Sequence, residues 1–232
     1  MRKNLKIIFL STDTLHHRYI IKLFEEKKIE IEKYILETTH VKPKFKVGPF
    51  LNIKTHMFEK KNFFKKYSNK IDTTKIVKVK NINSINSERF LKKIKPDLAI
   101  VFGTRKIDKK IISKFKFGLI NVHRGIIEKY RGLDSDLWAV YHKDFNNIGA
   151  TIHKVDENLD TGNVIDQKKL NLNNIKIYQL KFYTTILAGN MLVNIIKKFT
   201  KEHKFKFKNI KRNGRYYSFM PLEIKKVLRM RS

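Results

Sequence analysis

The chain of 232 residues contains no cysteine. That excludes disulfides, thiolate metal sites and a thiol nucleophile, and it fits a reducing cytoplasm. Proline is scarce, with four in all, and two of these, Pro43 and Pro49, fall in the stretch whose structure is hardest to assign. Acidic residues are few: 21 Asp and Glu stand against 52 Lys and Arg, a formal charge of +31. Such a surface attracts anions, whether nucleic acid, acidic lipid or phosphorylated and carboxylated small molecules. Codon bias toward Lys, Ile and Asn in an A/T-rich genome would give the same excess, and the lysines are spread along the chain rather than gathered into one arm. Long apolar runs are also lacking. The opening MRKNLKIIFLSTD has too short an apolar run for a signal peptide and reads as a first strand. No segment approaches the roughly 18 apolar residues of a membrane span. The 41% of hydrophobic residues suffices for one ordinary core, so the expectation is a globular, cytoplasmic protein.

Residues 5–10 read as a buried strand ending in the polar turn 11–14. Leu15 to Lys28 has apolar residues at helical period, with Asp13 or Thr14 as N-cap. Alternation over Glu30 to Leu36 gives a second strand, and strand–helix–strand at this length is a βαβ unit with a right-handed crossover. Residues 39–75 are basic and aromatic. They read either as a single-stranded nucleic-acid surface or as a long connection whose aromatics cover the sheet edge. A short strand over Ile76 to Val79 follows, then a helix capped by Ser87 and stopped after Lys95 by Pro96. Asp97 to Phe102 is apolar enough for a central parallel strand. Beyond it come a short helix (Lys109 to Phe115), a strand (Leu119 to His123) and a helix from Asp134 or Ser135 to Tyr141 with Trp138 inward. Ile148 to Val155 and Asn163 to Leu170 form a hairpin around Asp160. A long helix within Ile175 to Phe199 follows, with Tyr183, Ile186, Leu187, Met191, Ile195 and Phe199 along its buried stripe. A turn at Asn213-Gly214 is expected in the basic tail. The organisation expected is one domain over residues 1–200 and a short basic extension over 201–232.

In an open α/β sheet, ligands bind at the carboxyl ends of the strands. Three exits converge there: Gly103-Thr104-Arg105, Asn121-Val122-His123, and the turn Asn158-Leu159-Asp160-Thr161-Gly162. Residues two apart on a strand face one side, so Asn121 and His123 can address one reacting atom. An amide donor beside an imidazole suits an oxyanion developing on a carbonyl, and a carboxylate can orient the imidazole or relay a proton. No Ser or Cys adjoins His123 in sequence, which favours direct attack by an amine or water over a covalent intermediate. No metal is expected: His16 and His17 diverge on a helix, and His123, His142 and His153 show no ligand spacing. Taken singly, each residue has an ordinary structural reading. The residues alone reach an anion-friendly α/β enzyme of acyl or proton transfer.

NVHRGIIEKYRGLDSDLWA followed by IGATIHKVDENLDTGNVI resembles the folate-dependent formyltransferases, the family of methionyl-tRNA, glycinamide ribonucleotide and sugar N-formyltransferases. The resemblance implies an α/β, Rossmann-like three-layer sandwich with a mostly parallel sheet. It implies Asn121, His123 and Asp160 as the catalytic set and 10-formyltetrahydrofolate as formyl donor, with no metal. The donor would be held by Phe102, Gly103, Thr104, Arg105, Lys106 and Ile107, and by Val155, Asp156, Glu157, Asn158 and Leu159. The acceptor would meet Thr12 and Asp13, and Tyr130, Arg131 and Gly132 of the Y-R-G loop. The family's glycine-rich phosphate loop for glycinamide ribonucleotide is replaced by Ser11-Thr12-Asp13-Thr14-Leu15-His16, which counts against that substrate. The His-x-x-x-x-Pro loop reads His123 to Glu128, without its proline. The expected acceptor is therefore an anionic small molecule, a nucleotide-linked amino sugar destined for surface polysaccharide such as lipopolysaccharide. The alternatives are methionyl-tRNA, or a catalytically inactive nucleic-acid-binding protein on the same scaffold.

Overall fold

Seven strands form one sheet in the order β3-β2-β1-β4-β5-β7-β8. They are β1 (Ile7–Thr12), β2 (Lys33–Glu37), β3 (Ile76–Val79), β4 (Leu98–Phe102), β5 (Leu119–His123), β7 (Gly149–Lys154) and β8 (Val164–Lys169). β1 to β5 pair in parallel, and β7 and β8 add an antiparallel edge. A separate two-stranded ribbon joins β6 (Tyr130–Gly132) to β9 (Arg215–Tyr217) in parallel. The helices are α1 (Leu15–Glu26), α2 (Asn52–Phe63), α3 (Ile85–Ile94), α4 (Lys109–Ile112), α5 (Ser135–Tyr141), α6 (Leu180–Glu202) and α7 (Leu222–Lys226). This computed structural model describes residues 5–39, 41–65, 71–156, 160, 162–210 and 214–228.

Strand alternation divides the core. Ile7, Phe9, Leu98, Ile100, Ile120 and Ile152 face α1 and α6, whereas Ile8, Leu10, Ala99, Val101 and Leu119 face α3 and α4. The result is the three-layer α/β sandwich expected. A smaller apolar cluster gathers Tyr130, Ala139, Val140 and Ile148 with Met220 and Leu228 of the C-terminal segment.

Four sequence expectations are corrected. Residues 39–75 contain α2, whose aromatics pack on the helical layer instead of the sheet edge: Phe63 stacks on Tyr19 at 4.7 Å, and Phe58 meets Phe182 at 5.2 Å. α2 shows no amphipathic period because Ile53 and Met57 are exposed while Glu59 is buried and pairs with Lys181 at 3.1 Å. The cap of α3 is Ser84, whose hydroxyl accepts from the Ser87 amide. Ser87 itself lies inside the helix. The helix expected through Phe115 ends at Ile112. In α6 the buried face is turned partly from the stripe expected: Met191 and Phe199 of that stripe are buried, Tyr183, Ile186, Leu187 and Ile195 are half-buried, and Leu180, Thr184, Thr185, Ala188, Leu192 and Ile196 make up the rest of the buried face. Thr184 and Thr185 can face inward because their hydroxyls donate to the carbonyls of Leu180 and Lys181, four residues back. Residues 211–213, with Asn213, lie outside the described residues.

Candidate active site

A cleft of about 670 Å³ opens at the carboxyl ends of β1, β4 and β5. The strand order reverses between β1 and β4, and such a switch point leaves a crevice because the flanking connections run to opposite faces. Asn121, His123 and Asp160 all line it. β5 delivers the first two, and the β7–β8 connection delivers Asp160 in a left-handed conformation, φ 52°, which a short Asp side chain tolerates.

Asp160 is the hub. Its Oδ1 accepts from Asn121 Nδ2 at 3.2 Å and lies 3.2 Å from His153 Nε2. Its Oδ2 accepts from the Gly132 amide at 2.8 Å and lies 3.5 Å from His123 Nδ1. Burial alone would raise the Asp160 pKa. The charge on His123, the hydrogen bond and charge of His153 and the Gly132 amide overcome that and hold the carboxyl well below the ordinary range. The group is a carboxylate at neutral pH.

His123 Nε2 donates to the Tyr130 carbonyl at 2.9 Å, because a carbonyl can only accept. Its Nδ1 makes only the long approach to Asp160, the ring nitrogen with capacity left for a reacting atom or its proton. His153 also lines the cleft, a position that sequence reasoning passed over. β5 and β7 pair so that Asn121 stands opposite His153 and His123 opposite Thr151, and directly opposed residues of an antiparallel pair share a face. The register of β7 against β8 shifts between Ile152 and His153, a bulge of the kind that re-aims side chains beside active sites. His153 Nδ1 donates to the Lys154 carbonyl at 2.9 Å, and Nε2 lies 3.2 Å from Asn121 Nδ2. Nε2 therefore either accepts from the Asn121 amide or, when protonated, donates to Asp160. The only sequence signal was the period-2 alternation of IHK. The pairing register that makes it matter is non-local.

The residues expected to hold the donor divide. Phe102, Gly103, Thr104, Arg105, Lys106, Ile107, Val155 and Asp156 line the cleft, whereas Glu157, Asn158 and Leu159 lie outside the described residues, as does Thr161. The Arg105 guanidinium is engaged: Nε donates to Glu37 at 2.5 Å and Nη2 to the Thr39 hydroxyl at 2.8 Å. Arg105 thus braces the wall with its side chain and presents its backbone. Gly103, φ 72°, sits against His17; a Cβ there would stand 2.7 Å from His17 Nε2. His17 donates from Nδ1 to the Thr12 carbonyl at 2.9 Å, and burial pushes its pKa down to about 3. The ring is neutral, and its Nε2 has no hydrogen-bond partner among the described residues.

Of the residues expected to meet the acceptor, Thr12 and Gly132 line the cleft. The other three are engaged elsewhere. Asp13 pairs with Arg18 at 2.6 Å, the Tyr130 hydroxyl donates to Asp144 at 3.0 Å, and Arg131 Nε donates to the Gly214 carbonyl at 2.7 Å. Of the Y-R-G loop, it is the Gly132 backbone amide that meets Asp160. Leu133, Tyr216 and Phe219 also line the cleft. Among the described residues, no group of three or more His, Asp or Glu side chains is arranged to hold a metal ion.

Residues 5–177 match the profile described as "Formyl transferase". The chain is 30% identical over 128 residues to the methionyl-tRNA formyltransferase of Finegoldia magna, an alignment covering 54% of this chain and 41% of that one. The matched region thus spans about two fifths of that relative. A 4-N formyltransferase from Francisella tularensis superposes with a TM-score of 0.63 at 20% identity, covering 92% of this chain and 76% of that one. PseJ from Anoxybacillus kamchatkensis, solved with UDP-4,6-dideoxy-4-formamido-L-AltNAc and tetrahydrofolate, superposes at 0.53 with 19% identity, over 92% of this chain and 85% of that one. At these identities the two structures bear on the fold.

Proposed function

Because the chain belongs to the formyl transferase family, we propose that it transfers the formyl group of 10-formyltetrahydrofolate to a primary amine, without a covalent enzyme intermediate. The observation that carries the reading is the meeting of Asn121, His123 and Asp160 in one cleft at the sheet's switch point. The formyl donor fits the half of the cleft built from Val101, Phe102, Ile107 and Val155, an apolar slot edged by the backbone of residues 103–106. When the donor is bound, it supplies an activated carbonyl. Asn121 Nδ2 and His123 Nδ1 are the hydrogen-bond donors for the negative charge that develops on the formyl oxygen. Asp160 orients both and takes up, directly or through water, the proton that the attacking amine sheds; the same proton is returned to the donor nitrogen as its bond to the formyl carbon breaks and tetrahydrofolate leaves.

The acceptor in this reading is a nucleotide-linked amino sugar, and the site of action is the cytoplasm. Support comes from the large positive charge, which suits a diphosphate-bearing substrate, and from the formamido sugar bound by PseJ on the same fold. The Finegoldia relative favours a second reading, methionyl-tRNA as acceptor. Incubating the purified protein with 10-formyltetrahydrofolate and, separately, amino-sugar nucleotides and methionyl-tRNA decides between them. A formamido sugar detected by mass spectrometry, with no product on tRNA, is the expected result. Formylation of methionyl-tRNA alone would overturn the acceptor assignment, and full activity in His123→Ala would overturn the enzymatic reading.

A further inference from the structure

One wall of the cleft comes from outside the family-matched span, which ends at residue 177. Tyr216 and Phe219 line the cleft beside Leu133 and Asp160. The segment that carries them is fixed at several points. β9 pairs with β6, the Leu133 amide donates to the Tyr217 carbonyl at 2.8 Å, the Met220 amide donates to Asp134 at 2.9 Å, and Trp138 Nε1 donates to the Ser218 carbonyl at 2.9 Å. Tyr217 turns inward, its ring 4.9 Å from Trp138. Strand alternation sends Tyr216 to the opposite side, where it stays 46% exposed. Its ring lies across Gly132: a Cβ on Gly132 would stand 2.8 Å from Tyr216 Cε2. The Gly132 amide is the one that donates to Asp160. A single glycine therefore separates the tyrosine ring from the carboxylate.

We infer that Tyr216 and Phe219 form the platform for the acceptor's amine-bearing sugar ring, so that acceptor choice is set by the C-terminal segment rather than by the shared α/β core. This rests on the formyl-transfer reading. The attacking nitrogen must reach the Asn121–His123–Asp160 group, so the portion of acceptor one residue's width from Asp160 is the ring that bears the amine. A base joined through a diphosphate lies farther out. The C–H face of a pyranose is apolar and packs on an aromatic face, while a tyrosine hydroxyl can pair with sugar hydroxyls. The donor's apolar slot is built instead from β4, the loop after it and Val155.

The test uses the full chain with 10-formyltetrahydrofolate and the amino-sugar nucleotide it formylates, comparing Tyr216→Ala, Tyr216→Phe, Phe219→Ala and the double alanine variant. Tyr216→Ala is expected to raise the acceptor KM roughly tenfold, with the donor KM within about twofold and the thermal midpoint unchanged. Tyr216→Phe, which keeps the ring and loses only the hydroxyl, should raise the acceptor KM less than Tyr216→Ala does. An unchanged acceptor KM in the double variant overturns the platform, and so does a donor KM that rises in step. If the wild-type protein formylates an amino sugar but these variants keep its KM, only the platform falls. If the wild type formylates methionyl-tRNA and no amino sugar, the acceptor reading falls and the sugar platform with it.

Discussion

Replacing His153 tests the hub directly, because its two nitrogens do different things. Nδ1 holds the Lys154 carbonyl, and Nε2 reaches Asp160 and Asn121. Asparagine places an amide where the imidazole has Nδ1, and glutamine places one where it has Nε2. His153→Asn therefore keeps the backbone contact and loses the one to the carboxylate. A hydrogen bond to a charged group is worth about 1.5–3 kcal/mol net. At 1.36 kcal/mol per decade this becomes a loss of about 10- to 150-fold in kcat/KM, if the contact holds Asp160 in its working position. His153→Gln keeps a donor at the Nε2 position and should lose much less activity at neutral pH. It frees the Lys154 carbonyl beside the buried His153 side chain, 2% exposed, so its cost falls on stability, about 1–3 kcal/mol. The assay is steady-state formyl transfer across pH 5–9 with a thermal melt of each variant. Wild-type kcat/KM in His153→Asn, at a wild-type melting temperature, would refute the positioning role.

Three further outcomes follow from the same geometry. Asp160→Asn should reduce kcat by about 10²- to 10⁴-fold. Because the folded carboxyl is held below the ordinary Asp value of about 3.9, its stabilising contribution is present above that value and lost as pH falls through the folded pKa. The stability gap between wild type and variant, read by denaturant melts, should therefore narrow below about pH 4 and hold above pH 5. Gly132→Ala should impair both stability and rate: φ is 90°, where a side chain costs about 1–2 kcal/mol, and the new Cβ would run into the Tyr217 carbonyl and the Tyr216 ring. Wild-type kinetics in that variant would count against the Gly132–Asp160 contact. Phe63→Ala should cost about 3–5 kcal/mol, since Phe63 is 1% exposed and meets Tyr19 and Phe182 at 4.7 Å each. It lies away from the cleft, so kcat of the folded protein should not change.

The parts of this molecule that were legible in sequence are those whose position is settled within one element. β5 was located to the residue, because LINVH is short, apolar and bounded by Gly118 and the Arg124 turn. β1 and β4 read as near-continuous apolar runs, the mark of strands covered on both faces, and every residue of Ile7–Thr12 and Leu98–Phe102 is buried; the three-layer sandwich followed. Asn121 and His123 were readable for the same reason: two residues apart on a strand exit, they point together whatever the strand pairs with. α2 was not legible. Its stability comes from Phe63, Phe58 and the Glu59–Lys181 pair meeting other elements, while its own exposed Ile53 and Met57 blur any helical period.

The site divides along the same line. His153 acquires its role only when β7 pairs antiparallel with β5 in the register that sets it opposite Asn121, and a one-residue slip would turn it to the other face. Tyr216 acquires its place only when β9 pairs with β6, Arg131 opposite Tyr216, across more than eighty residues of chain. Both contacts converge on Asp160, one through Nε2 and the other through the Gly132 amide. The carboxylate that the sequence Asn158 to Gly162 made visible is thus held by two long-range pairings that this stretch does not encode. One lies within the family-matched span and meets the formyl-transfer group. The other brings in β9 from beyond it, the strand that carries the proposed acceptor platform. A chain that kept residues 5–177 and changed only the segment around Tyr216 would, on this geometry, keep its formyl chemistry and exchange its acceptor.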